Sequence, residues 1–445
     1  MKFNFTLFAA IFIFLNILTN SAKSLEIIRD TELENFTNEL ITKLIDSHQL
    51  DYKDLNIYFV KSDQINAFVT GGKNMFINTE ILIQSDDYRE YAAVIAHELA
   101  HILGGHIFNT TLEISDLSNK ALPIYLLGII SIVSGASDSG LAGVMVGQAT
   151  VSDGFTYYSR TQEASADQAA VNILCKSGIE GIHLTNFLKK VDSATFNVGD
   201  NNQNYRSTHP SIDNRISWVN MAYDNNHDCK FTKDETLDKK FKLLKAKLHG
   251  FTHPYNETES VYSGNEEVDL YATAVSNYFL GNHSRTIKNL EILLKNDPFN
   301  PYYKELIGEV YFANHNFIEA AKYQKEAIEN IDQANDLYNM MLGNYLLSHE
   351  TQEKANESIL FLKKSIQINP KNAYSWYLLA RAYAQVDKIP LANYATAERY
   401  FLIGEKELSF NFAIKALKNI EENTPEWYRS NDLIEILKKD VSSNR

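Results

Sequence analysis

Cysteine is scarce in this chain, basic residues are outnumbered, and no apolar run after the first two dozen residues reaches bilayer length. Cys175 and Cys229 are the only cysteines among 445 residues. The pair permits one bridge in an oxidising compartment and is equally compatible with two buried thiols. Lys and Arg number 42 against 56 Asp and Glu, a net charge of −14 that becomes −16 if Lys2 and Lys23 leave with a leader. Such a field repels phosphate, so nucleic acid is not an expected partner. The apolar pieces at residues 121–133 and 141–148, split by Ser134-Gly135-Ala136-Ser137-Asp138-Ser139-Gly140, are too short to span a membrane. They read either as a helical hairpin packed over a cleft or as a lid or membrane-facing flap, which would give a peripheral membrane contact.

The beginning of the chain looks like an export signal. Lys2 precedes a largely apolar stretch over residues 3–18, broken by Asn4, Thr6 and Asn16, and Ala22-Lys23-Ser24 makes a small-x-small cleavage site. No Cys follows it, so a lipid anchor is not expected. At this length two domains are expected after the leader.

The most informative residues are His97-Glu98-Leu99-Ala100-His101. On a helix, positions i and i+4 share a face, so both imidazoles can aim at one metal with Glu98 beside them. The stretch before them, from Tyr88 to Ala96, contains no Pro or Gly and follows Ser85-Asp86-Asp87, a set of helix caps. A second helix is expected around Glu163-Ala164-Ser165-Ala166-Asp167, where Glu163 supplies a third ligand and Asp167, one turn on, steadies a ligand histidine through its other nitrogen. Two His nitrogens and one carboxylate suit a single zinc ion with an open fourth position for water. Glu98 is then the base. His106, five positions after His101, falls off the ligand face and is expected to brace the helix end.

These motifs, with Asn66-Ala67-Phe68-Val69-Thr70-Gly71-Gly72 upstream and Thr208-His209-Pro210 and Arg215 downstream, occur in an order that resembles the zinc peptidases related to HtpX and the CAAX prenyl protease. The likeness is greatest to the exported members with a tetratricopeptide tail, the BepA (YfgC) type. That family usually has Pro before the Gly pair, where this chain has Thr70. The resemblance implies that His209 and Arg215 approach the metal and stabilise the oxyanion during peptide hydrolysis, with His209 also a possible fourth metal ligand. It further implies that the outer strand of a small sheet lies along the cleft and accepts an extended substrate by main-chain bonding.

A first helix is expected from Asp30 to about His48, then strands at residues 55–60 and 75–78. From about Glu267 a period near 34 residues sets in. The unit beginning at Pro301 carries Ile307, Gly308, Tyr311, Ala320 and Ala327 at tetratricopeptide spacing, and another begins near Ala373. Roughly four units fit, with a weak first one at residues 268–298, an insertion near residues 349–354 and a degenerate last pair beyond Gly404. Their concave face offers a large surface to a polypeptide.

The expectation is therefore an α+β protein. A leader at 1–24 precedes a mainly helical zincin-type metallopeptidase domain with a small sheet at 25–255, and an all-α tetratricopeptide solenoid follows at 256–445. Its expected activity is that of an exported, periplasmic zinc endopeptidase. The resemblance implies substrates among misassembled outer-membrane proteins and partners in their assembly machinery. The alternative is a largely latent peptidase serving as a chaperone or scaffold through its repeats.

Overall fold

A computed structural model describes residues 26–46, 55–70, 73–106, 158–197, 209, 212–225, 229–254 and 265–443. The leader, the Gly71-Gly72 pair, the apolar pieces at 121–148, Thr208 and Pro210 lie outside them.

Among the described residues the first part joins a four-stranded mixed sheet to seven helices. Its elements are β1 (Glu26–Ile28), α1 (Thr31–Asp46), β2 (Asn56–Lys61), β3 (Ala67–Thr70), β4 (Asn74–Asn78), α2 (Thr79–Gln84), α3 (Tyr88–Leu103), α4 (Arg160–Lys176), α5 (Ile182–Asn197), α6 (Ile212–Asp224) and α7 (Glu235–Thr252). Strand order is β1-β2-β4-β3, with β2 and β4 parallel and the outer pairings antiparallel. β3 is thus an edge, and it packs beside α3.

α3 starts where expected, with Asp87 accepting a hydrogen bond from the Arg89 amide. It is buried almost all round, from Tyr88 to His101, as befits the central helix of a core. Leu33, Leu40, Tyr91, Ile95, Val171, Phe187 and Phe241 are among the side chains packed in one continuous core around it. Its one acidic residue in the first turn, Glu90, is buried but held by Lys190 Nζ at 2.7 Å and by the Asp86 amide at 2.9 Å. α4 opens with a capping box in which the Ser159 hydroxyl and the Gln162 side chain satisfy each other's amides. Cys175, at the end of α4, is disulfide-bonded to Cys229, which decides between the two readings of that pair.

The second part is a succession of five helix pairs, where the sequence pattern predicts roughly four. They are α8 (Glu266–Phe279) with α9 (His283–Asn296), α10 (Pro301–Ala313) with α11 (Phe317–Asn330), α12 (Asp336–Leu347) with α13 (Gln352–Ile368), α14 (Ala373–Gln385) with α15 (Ile389–Leu402), and α16 (Lys406–Leu417) with α17 (Pro425–Ser443). The pairs begin 35, 35, 37 and 33 residues apart. The insertion expected near residues 349–354 is not a separate loop: those residues form a short turn and the first turn of α13, whose 17 residues take up the extra length.

The two parts share a face. Arg29 Nη2 donates to Asp336 Oδ1 at 2.9 Å, Tyr271 donates to Glu32 at 2.7 Å, and Thr31 Oγ1 donates to Asn335 Oδ1 at 3.3 Å. Tyr271 and Asp336 stand on the first helices of the first and third pairs. Part of the array surface expected to receive a partner is therefore covered by the chain's own α1. At Gly250 a Cβ would fall 2.6 Å from the Ala272 carbonyl, so α7 and α8 meet backbone to backbone only because that position has no side chain.

Candidate metal centre

The i, i+4 spacing on α3 puts the two imidazoles on one side, with His97 Nε2 and His101 Nε2 3.0 Å apart. α4 crosses α3 and delivers Glu163, whose Oε1 is 3.3 Å from His101 Nε2 and whose Oε2 is 3.6 Å from His97 Nε2. His209 completes the group, with Nδ1 3.0 Å from Glu163 Oε1 and 3.4 Å from His97 Nε2. One ligand atom from each of these four residues lies within 4.8 Å of every other, and all four side chains are buried.

The arrangement fits a cation. His97 turns Nδ1 to Asp167 Oδ1 at 3.0 Å, so that nitrogen carries the proton and Nε2 offers a lone pair to the cluster. His101 turns Nδ1 to His106 Nδ1, also at 3.0 Å, and directs Nε2 to the same point. Converging lone pairs and a carboxylate repel one another in a dry site unless a positive charge sits among them. Glu98 stands next to them, fully buried, and neither of its oxygens has a hydrogen-bond partner among the described residues. The nearest ring nitrogen recorded for it is His209 Nε2, at 3.5 Å. An ionisable group left open in this way is ready for a ligand that the protein itself does not supply.

Local electrostatics sort the carboxyls. Burial alone would raise Glu163, but His209 and Arg215 beside it hold its carboxyl well below the ordinary range. Asp167 is likewise kept low against burial, by Arg215 and His97. Glu98 is different: burial pushes it up, with His209 and His97 only partly opposing. Burial also keeps His101 well below its usual value, so its lone pair is available. His209 moves the other way, raised by Glu163 and Glu98 in spite of burial.

Arg215, on α6, is completely buried. Its Nε and Nη2 hold Asp167 at 2.9 and 2.8 Å, and Nη1 lies 2.9 Å from Glu163 Oε2. The guanidinium therefore ties the two acidic residues of α4 together. Two residues had no role in the sequence pattern beyond packing. His106 returns to His101 because the chain turns at Gly104 and Gly105, the latter at φ +64°, and a Cβ on Gly104 would sit 2.6 Å from the His106 ring. That Gly-Gly step after the helix is the signal that a following side chain folds back. Tyr158 stacks on His101 with ring centroids 3.7 Å apart, and no spacing rule points to it.

Residues 29–221 match the model of peptidase family M48. Over those residues the chain is similar to the M48 peptidases. M48 peptidases are metalloproteases, and the buried histidine and glutamate group here could bind a metal. Similarity extends past the domain into the helix pairs. The beta-barrel assembly-enhancing protease of Escherichia coli (strain K12) is 24% identical over 413 residues, covering 89% of this chain and 81% of that protein. Its namesake in Yersinia pestis is 24% identical over 367 residues, 81% of this chain and 74% of the relative. The protease HtpX homolog of Helicobacter pylori (strain J99) is 28% identical over 207 residues, 41% of this chain and 65% of its own length. None of these names speaks for the chaperone or scaffold alternative. Among the described residues no helix is long and apolar enough to cross a membrane.

Proposed function

We propose that the chain is an exported, periplasmic zinc endopeptidase that cleaves misfolded or misassembled polypeptides, with outer-membrane proteins as its substrate class. In this reading residues 25–255 form the peptidase domain and residues 256–445 a tetratricopeptide-type array that selects partners among the outer-membrane assembly machinery. The observation that carries it is Glu98, buried and without a hydrogen-bond partner beside the converging nitrogens of His97 and His101. The relatives' names supply the substrate class.

His97, His101 and Glu163 would hold the ion. Zinc there supplies a Lewis acid that lowers the pKa of a water to about 7 and polarises the scissile carbonyl. Glu98 takes the proton from the attacking water and returns it to the leaving amine, and its raised affinity for protons suits that exchange. Asp167 fixes the ring of His97 and His106 that of His101, so that both present Nε2. Arg215 acts as a positioning residue, locking Asp167 and Glu163 in register, instead of the oxyanion donor that the family resemblance implies. His209 would serve as a gate: its Nε2 lies 3.1 Å from the Ala67 carbonyl, so Nδ1 faces the ligand atoms and would compete with water for a bound ion.

Glu98→Gln tests the reading. Metal content, measured by atomic emission on the purified chain, should remain at one ion per chain, while cleavage of an unfolded outer-membrane protein falls to the level seen with chelator. Loss of the metal, or persistent cleavage, would refute the assignment of base and ligands.

A further inference from the structure

The sheet edge beside the metal group is covered, and its cover has a chemical pattern. β3 pairs with β4 so that Phe68 faces Phe76 and Thr70 faces Asn74, and the Asn66 carbonyl accepts from the Asn78 amide at 3.0 Å. Residues 66, 68 and 70 thus direct their main-chain polar groups to β4, and in an antiparallel pair the alternate residues direct theirs outward. Those residues are Ala67 and Val69. Both of their carbonyls are taken, Ala67 by His209 Nε2 at 3.1 Å and Val69 by the Tyr158 hydroxyl at 3.3 Å.

Outward carbonyls two residues apart are the pair that an added strand would bond with its own amides. Two side chains therefore stand where two N–H groups of an extended polypeptide would stand. Tyr158 makes the arrangement separable, because its ring and its hydroxyl do different things. The ring stacks on His101 at 3.7 Å and lies 5.2 Å from His209. The hydroxyl reaches past them to the edge.

We propose that Tyr158 is a substrate stand-in on the β3 edge: its hydroxyl holds the Val69 carbonyl in the resting protein and yields it to a main-chain amide of an extended polypeptide. The exchange replaces one hydrogen bond by another, so it is close to neutral and proceeds only for a ligand with unsatisfied amides. Unfolded segments meet that condition; a folded domain, whose amides are already paired, does not. Tyr158 is then a specificity residue for conformation, not sequence. This inference rests on the peptidase reading only for the nature of the seated ligand.

Binding and turnover test it separately. In the zinc-loaded full chain carrying Glu98→Gln, fluorescence anisotropy reads the affinity for a labelled, unstructured 12-residue peptide. Adding Tyr158→Phe, which keeps the ring, should tighten binding by roughly 2- to 10-fold, the effect of removing one competing hydrogen bond. A copy of the peptide with its amides N-methylated should bind more weakly to both proteins and show no such gain. With Glu98 intact, Tyr158→Phe should lower KM by the same factor and leave kcat unchanged. Unchanged or weaker binding, a gain retained by the methylated peptide, or no measurable binding by either protein overturns the proposal. So does a fall in kcat at constant KM, which would make the hydroxyl part of the reacting centre. A wild-type chain that binds the peptide yet cleaves nothing would sink the peptidase reading while leaving the edge competition standing.

Discussion

Under the proposed gate, His209 would decide whether the resting site is open. Its Nδ1 lies among the ligand atoms and its Nε2 on a backbone carbonyl, a placement that suits a gate better than an oxyanion donor, which must point at the cleft. Under the gate reading, His209→Ala frees the fourth position, and degradation of an unfolded protein by the variant should be faster than by the wild type. If the residue stabilises the oxyanion instead, kcat should fall by about 10²–10³-fold. Single-turnover cleavage assays separate the outcomes by their sign.

α4 carries both Glu163 and Asp167, and its far end is fastened by Cys175 to Cys229. The bridge spans 54 residues of sequence, and that loop contains His209 and Arg215. Closing a loop of this length removes chain entropy from the unfolded state worth about 4 kcal/mol. Replacing both cysteines by Ala should lower the denaturant midpoint and steepen the slope, because the unbridged unfolded chain exposes more surface, while His97 and His101 on α3 should still bind metal. Equal midpoints for the oxidised wild type and the double variant would contradict this. β3 is the other element whose position matters, since an edge strand is normally paired, covered or blunted, and here it is covered by the side chains of His209 and Tyr158 at the candidate metal centre.

The first helices of the array close over α1 through a polar junction. A cavity of about 170 Å³ lies there, lined by Arg29, Asp30, Lys247, Tyr278, Glu305 and Glu309 among others. Burial pushes the Glu309 carboxyl up to about 7, with Lys247 partly opposing and Asp30 adding to the rise. Between its ordinary value near 4.5 and about 7 the folded chain holds a proton that the unfolded chain has lost, so this group's contribution to stability declines as pH rises through that window and is flat above it. Glu309→Gln should therefore be more stable than the wild type at pH 8, and the advantage should vanish at pH 4. Urea unfolding of both proteins at the two pH values measures it; an advantage independent of pH would show that packing, not ionisation, is responsible. The junction also bears on truncation: a chain ended near His249 loses Tyr271 and Asp336, leaving Glu32 and Arg29 without those partners. Charge-neutral substitutions at the junction are the cleaner way to divide peptidase from array.

Much of this was legible in one dimension. The i, i+4 histidines, Glu98 between them, the Glu163 and Asp167 pair one turn apart and a start of α3 within Ser85-Asp86-Asp87 follow from helical periodicity and capping, which are local and need no partner. The period near 34 residues likewise announces stacked helix pairs, although five stand where the spacing predicts about four: the pair at residues 336–368, between the units that begin at Pro301 and Ala373, is the one it leaves out. Tertiary structure alone decided the rest. Whether two cysteines 54 residues apart meet, which way the Arg215 guanidinium turns, that His106 folds back on His101, and that His209 and Tyr158 share the carbonyls of β3 all depend on where distant segments converge. Sequence spacing encodes neighbours along one helix or strand; contacts between α3, α4, β3 and the His209 segment are set by the shape of the core that brings them together.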